Sequence, residues 1–276
     1  MSRYEKLFAE LAERGEGAFV PFIMLSDPTP EVALEVVRAA IAGGADSLEL
    51  GVPFSDPVAD GPTIQASHVR ALANGATVDA AVEQVRTIRA EFPDIPISML
   101  IYGNVAFSRG LETFYQDFAD AGADAILLPD VPVRESGEFI EAASRAGIEP
   151  VFLAPAQASE ETLRGVAGAA RGYIYAVSRD GVTGTELESE TTGFDEVVRK
   201  IEMFDGVPAL LGFGLSTPTH VANAMAAGAA GAITGSALTK VINEHLDDQG
   251  RAGEGLAEAV REFVASMKAA TLPATK

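Results

Sequence analysis

Two carboxylates eleven residues apart, Glu49 and Asp60, stand in the segment LELGVPFSDPVADGP (48–62). Glu49 sits between Leu48 and Leu50 in a run otherwise fit for burial. Burial disfavours the ionised form of a carboxyl and raises its pKa, which equips it to exchange a proton near neutrality. A glutamate satisfied by a backbone or arginine partner is the structural alternative. Asp60 follows Ala59 and precedes Gly61-Pro62, where a flexible loop can carry it over the same mouth. A loop aspartate is also a common turn-former or helix N-cap, here of a helix starting near Pro62, and Asp56 has the same option.

A second constellation is built of glycines. Gly184, Gly212, Gly214 and Gly235 allow close backbone approach, and Ser236 would open a short helix whose first N–H groups lack partners. Such a helix start, beside the loops after the seventh and eighth strands of a barrel, suits a phosphate dianion. The turns GFG (212–214) and GSA (235–237) hold no Lys or Arg, so binding there would rest on backbone dipoles. The alternative is that these glycines only make turns and helix C-caps.

The elements that must position these groups follow a repeating rhythm. Eight short apolar runs fit strands covered on both faces: 18–25, 46–51, 95–102, 124–130, 148–154, 172–178, 207–214 and 231–235. Between them lie stretches with apolar residues at helical spacing, such as 30–42, 78–91, 112–121, 134–146 and 217–227. Several end in a glycine signature before the next strand, AGGAD (42–46), AGAD (121–124), AGI (146–148) and AGAAG (227–231), as left-handed C-caps do. Eight such units predict an α/β fold, a single-domain (β/α)8 TIM barrel over residues 1–276. An additional N-terminal helix places Tyr4, Leu7, Phe8 and Leu11 on one face. An open doubly wound sheet is the alternative, disfavoured because no GxGxxG follows the first strand. Barrel enzymes work at the C-terminal strand ends. Those ends offer Tyr102, Asn104, Pro129, Asp130 and Tyr175 besides the acids and glycines, and Tyr175 can also be read as a half-buried tyrosine with its hydroxyl at the rim.

Composition narrows the partners. The 276 residues carry 40 acidic and 20 basic side chains, net −20, which argues against nucleic acid and anionic membranes. An acid-rich, lysine-poor surface around an ordinary core, 47% hydrophobic overall, suggests solvation in concentrated salt. Cysteine is absent, and His68, His220 and His245 show no ligand spacing, so no metal site is expected. No apolar run reaches transmembrane length and residues 1–15 are charged, which reads as soluble and cytoplasmic.

At this point LELGVPFSDPVADGPTIQAS (48–67) closely resembles the signature of the tryptophan synthase alpha chain family. The resemblance continues through LLPDVP (127–132), SRDGVTG (178–184), GFGLSTP (212–218) and GAITGSAL (231–238), and covers nearly the whole chain. It implies retro-aldol cleavage of indole-3-glycerol phosphate to indole and glyceraldehyde 3-phosphate. It also implies a beta chain as partner, which holds pyridoxal phosphate and receives the indole, in an alpha2-beta2 heterotetramer; no cofactor is expected in this chain. The family's catalytic carboxylates fall on Glu49 and Asp60 and its phosphate contacts on Gly184, Gly214, Gly235 and Ser236. Phe22, Leu100, Tyr175, Thr183, Phe213 and Ile233 match its substrate pocket, and loops 53–62 and 179–189 match the two that close over substrate. Pro53, Asp56, Pro57, Asn104 and Pro129 match its partner interface.

The sequence departs from the family pattern at LSDP (25–28), where a Gly-Asp-Pro turn is usual, at Tyr102-Gly103-Asn104-Val105 in place of a Tyr-Asn-Pro-like turn, and at Pro155-Ala156 in place of Pro-Thr. The change over Asn104–Phe107 bears on partner affinity and channelling. Two other functions remain open from the residues. One is a different phosphate-binding barrel enzyme, which would want a strand-end lysine or metal-binding histidines. The other is a non-catalytic barrel that binds and activates a beta partner.

Overall fold

The computed structural model describes residues 1–177, 193–247 and 250–272. Its eight strands are β1 (Ala18–Met24), β2 (Leu48–Gly51), β3 (Ile97–Leu100), β4 (Ala125–Leu127), β5 (Glu149–Pro155), β6 (Ile174–Val177), β7 (Ala209–Gly212) and β8 (Gly231–Thr234). They pair in parallel in sequence order, and β8 closes on β1, so the sheet is a barrel without edges. The open-sheet alternative is thereby excluded.

Around it run α1 (Arg3–Arg14), α2 (Pro30–Ala42), α3 (Pro62–Ala73), α4 (Val78–Glu91), α5 (Gly103–Arg109) and α6 (Leu111–Ala121). They are followed by α7 (Gly137–Ala146), α8 (Glu160–Ala169), α9 (Phe194–Met203), α10 (Pro218–Ala226), α11 (Ser236–Glu244) and α12 (Leu256–Ala269). Thr29, Thr77, Ser159 and Thr217 each cap a following helix through the side-chain oxygen, and Pro30 and Pro218 occupy first helical positions where no N–H is needed. The four glycine signatures all contain a residue in the left-handed region, Gly44, Gly122, Gly147 and Gly228, with φ from 76° to 99°.

The core has two shells, and strand alternation separates them. Phe19, Ile23, Leu48, Leu50, Ile97, Met99, Ile174 and Leu211 face the helices. Ala18, Val20, Ala125, Leu127, Val151, Tyr173, Tyr175, Leu210 and Ile233 fill the barrel interior. Tyr4 and Leu11 of α1 join this inner shell, with Leu7 and Phe8 packed against it. The N-terminal helix is thus bound into the barrel interior by the face its periodicity predicts; fully burying each such side chain contributes roughly 1.5–3 kcal/mol.

Candidate active site

Glu49 follows from that alternation. Its neighbours Leu48 and Leu50 face outward, so its side chain must point into the barrel, in register with Phe22 on β1 and Ser98 on β3. It is 1% exposed. The Tyr173 hydroxyl donates to Oε1 at 2.8 Å and lies 3.0 Å from Ser98 Oγ. Burial pushes the Glu49 carboxyl up to about 8; the charge of Asp60 adds to the rise and the Tyr173 bond opposes it. At neutral pH this group is chiefly a neutral acid.

Asp60 is also buried, at 4% exposure. It does not cap α3: Gly61 is the N-cap residue, without a side-chain cap bond. Its Oδ2 instead accepts from the Tyr102 hydroxyl at 2.7 Å and lies 3.2 Å from His68 Nε2. The same two side chains hold the loop backbone. Phe54 N–H donates to His68 Nδ1 at 2.9 Å, and Ala59 N–H donates to the Tyr102 oxygen at 3.1 Å. Burial, reinforced by the charge of Asp60, holds the Tyr102 pKa well above the usual phenol value, so it remains a donor. Asp56 is exposed and its carboxylate accepts from the neighbouring Ser55 hydroxyl.

Both carboxylates line one cavity with an empty volume of about 610 Å³, open solvent at its mouth included. Phe22, Leu100, Tyr175, Phe213 and Ile233 form apolar walls, joined by Ile64, Leu127 and Leu153. A cavity with an apolar lining and a few convergent polar groups is of the kind that takes a small aromatic ligand. Tyr175 is buried, 5% exposed, rather than half-buried, because its ring stands inside the barrel, edge-on to Phe213 at 5.7 Å. Gly212 makes room for it: a Cβ there would fall 2.3 Å from the ring. Phe213 adopts a left-handed φ of 64°, and such strain in a non-glycine residue concentrates at functional sites.

Gly214, Gly235 and Ser236 line the same cavity. Ser236 is the first residue of α11, and its hydroxyl is buried without a hydrogen-bond partner among the described residues, as is that of Thr234. The orphaned Ser236 donor at the open first turn of α11 forms a ready site for an anion, whereas Thr234, next to the inward-facing Ile233 on β8, is on the opposite face of the strand. Thr183, Gly184 and the loop 179–189 lie outside the described residues. Among the described residues, no cluster of three His, Asp or Glu is placed to hold a metal ion, and no helix is long and apolar enough to cross a membrane.

Of the residues expected at a partner surface, Asp56 and Asn104 are exposed and Pro57 is half-buried, while Pro53 is buried. Pro129 lines the cavity itself. The apolar side chains Val58 and Phe107, 73% and 58% exposed, add to this end of the barrel. Asp130 accepts the Gly103 N–H at 2.8 Å and so fixes the start of α5. At the divergent LSDP turn, Ser26 takes a φ of 61°, pinned by Gln84, which accepts its N–H at 3.0 Å and donates to its hydroxyl at 2.7 Å.

Reading strand ends alone missed Tyr173, Ser98 and His68. Period-two spacing from Tyr175 would have placed Tyr173 on the inner face; nothing local marks His68, which reaches Asp60 only because α3 folds back.

A profile of the tryptophan synthase alpha chain family matches residues 8–271. The tryptophan synthase alpha chain of Corynebacterium aurimucosum is 73% identical over 271 residues, covering 98% of each chain. That of Vibrio parahaemolyticus is 49% identical over 271 residues, covering 98% of this chain and 99% of the relative. Among solved structures, tryptophan synthase subunit alpha from Legionella pneumophila superposes with a TM-score of 0.87 at 28% identity over 98% of both chains. With two buried carboxylates at one apolar cavity and a family profile spanning nearly its length, the chain belongs to the tryptophan synthase alpha chain family.

Proposed function

We propose that this chain is a lyase that cleaves indole-3-glycerol phosphate to indole and glyceraldehyde 3-phosphate, with Glu49 as the proton-transfer group and Asp60 as the group that holds the indole N–H. The observation that carries the reading is a fully buried strand-end glutamate, neutral at physiological pH, facing the same cavity as a hydrogen-bonded aspartate. The C–C bond cannot break until the indole ring is protonated at C3, because only then can the ring accept the bonding electrons. Neutral Glu49 supplies that proton. Asp60 accepts the N–H, whose hydrogen bond strengthens as positive charge develops on the ring. Glu49, now a carboxylate, takes the proton of the glycerol hydroxyl as the aldehyde forms and the C–C electrons return to the ring. The proton lost by the hydroxyl replaces the one given to C3, so the acid is regenerated. Separate environments for the two carboxyls divide this labour.

Gly214, Gly235 and Ser236, with Gly184, form the phosphate site in this reading, supported by the orphaned Ser236 hydroxyl on the cavity wall. The partner is a beta chain carrying pyridoxal phosphate, assembled as alpha2-beta2. Exposed Asp56, Val58, Asn104 and Phe107 support a contact surface at the active-site end of the barrel. The acid-rich surface supports function in concentrated salt, and the chain works in the cytoplasm. The test is indole release from indole-3-glycerol phosphate, in low and molar salt, with and without a beta chain. Glu49→Gln loses about 10²–10⁴-fold in rate, the usual contribution of a general acid–base. Near-full activity in that variant rejects the mechanism.

A further inference from the structure

His68 is a buried imidazole, 2% exposed, that no step above uses. Both of its nitrogens are committed. Nδ1 faces the Phe54 N–H at 2.9 Å, and a backbone N–H can only donate, so Nδ1 must carry a lone pair. The ring proton of the neutral imidazole then sits on Nε2, aimed at Asp60 Oδ2 at 3.2 Å. The pair is therefore a neutral donor on a carboxylate rather than a salt bridge. Tyr102 repeats the arrangement, with Ala59 N–H on its oxygen and its own proton on the same Oδ2. The rings pack together: Phe54 stacks on Tyr102 at 5.0 Å and His68 meets Tyr102 edge-on at 6.2 Å.

We infer that His68 is a positioning residue for Asp60: held in its Nε2–H tautomer, it fixes the carboxylate and the loop backbone at Phe54 in one frame. This rests on the assignment of Asp60 to the indole N–H. The loop that carries Ala59 and Asp60 forms part of the cavity wall, so its anchor at Phe54 governs substrate binding, whereas the bond to Oδ2 governs how the carboxylate meets developing charge. The two functions of one side chain are separable. A glutamine amide nitrogen reaches the place of Nε2 but offers no acceptor at Nδ1. An asparagine oxygen reaches the place of Nδ1 but leaves Oδ2 short of a donor.

The experiment combines spectroscopy and kinetics. In ¹⁵N–¹H correlation spectra of the histidine rings, only three residues give signals, and the set absent from His68→Gln is assigned to His68. The expected spectrum shows an unprotonated Nδ1 and a protonated Nε2 at pH 7. A Nδ1–H tautomer or an imidazolium overturns the inference whatever the enzyme's activity. In indole-release kinetics, His68→Asn lowers kcat by about tenfold or more with KM within about threefold, because a donor to a charged group is lost. His68→Gln does the reverse, raising KM while kcat stays within about threefold. Equal kinetic changes in the two variants, or none, refute the positioning role. A wild-type chain that releases no indole rejects instead the substrate assignment, and the tautomer is still decided by the spectrum.

Discussion

Glu49→Gln should slow catalysis by about 10²–10⁴-fold and, at the same time, remove a pH-dependent cost to folding. In the folded chain burial pushes the Glu49 carboxyl up to about 8, from the 4.5 of a solvated glutamate, because it disfavours the charge. Between those values the folded state keeps a proton that the unfolded state has released. Stability then falls as pH rises, by about 1.4 kcal/mol per unit. The contribution is complete below pH 4.5 and gone above 8. The interval is 8 − 4.5 = 3.5 units, so this one carboxyl moves stability by about 5 kcal/mol across the window. Glutamine has no proton to lose and its amide carbonyl can still accept from Tyr173. Urea unfolding of both proteins from pH 5 to 9 isolates the effect, since titrating groups that do not feel the Glu49 charge cancel in the difference. The stability of Glu49→Gln relative to wild type should climb by about 4 kcal/mol from pH 5 to 8 and then level off. A difference that is flat across this range would show that Glu49 is already ionised in the folded chain, and the role of neutral acid would go with it.

Three further outcomes follow from the same geometry. Gly235→Asp places a carboxylate beside the Phe22 ring, 3.3 Å from the new Cβ, and at the start of α11; KM for indole-3-glycerol phosphate and the inhibition constant of inorganic phosphate should both rise by more than about tenfold, and unchanged values would remove the phosphate site from this turn. Gly212→Ala drives a methyl to 2.3 Å from the Tyr175 ring and should cost about 1–3 kcal/mol of stability by urea unfolding while displacing Tyr175 from the cavity wall; a neutral effect on both stability and KM would show that the ring has room to move. With acids outnumbering bases 40 to 20, repulsion outweighs pairing, and the thermal midpoint should rise steadily from low to molar KCl, where screening acts within about 3 Å; a flat profile would end the salt-adaptation reading.

The barrel was legible because its signals are local. Strands covered on both faces appear as unbroken apolar runs, and Gly122 or Gly147 ends its helix in the left-handed conformation whatever the rest of the chain does. Glu49 was legible for the same reason, a charge lodged between Leu48 and Leu50. What could not be read were relations between distant segments. Asp60 looked like a candidate cap for the next helix, yet that place belongs to Gly61, and Asp60 is held by Tyr102 from the end of β3 and His68 from α3. Tyr175 is the tyrosine that a strand-end reading selects, but the partner of Glu49 is Tyr173, deeper in the barrel and 124 positions away in sequence. Pro53, expected at the partner surface, is buried against its own chain, which the local pattern Val-Pro-Phe could not distinguish from an exposed turn.

The two carboxyls differ in support, and this difference explains why one strand and one loop are used. Glu49 is fixed by ladder register between Phe22 and Ser98, so its depth in the apolar interior, and with it its raised pKa, cannot drift. Asp60 has no ladder to fix it. Its carboxylate is instead held by Tyr102 and His68, each of which also grips the loop backbone, and α3 that carries His68 is strapped to the end of β1. Arg70 donates to both Asp27 oxygens at 2.9 and 2.7 Å, and the Asn74 amide donates to the Pro28 carbonyl at 2.7 Å. The turn after β1, α3 and the loop at Phe54 therefore act on Asp60 as one unit. A change at Asp27 or Arg70, which line no part of the cavity, would reach the Asp60 carboxylate through α3 and leave the strand-mounted acid where it is.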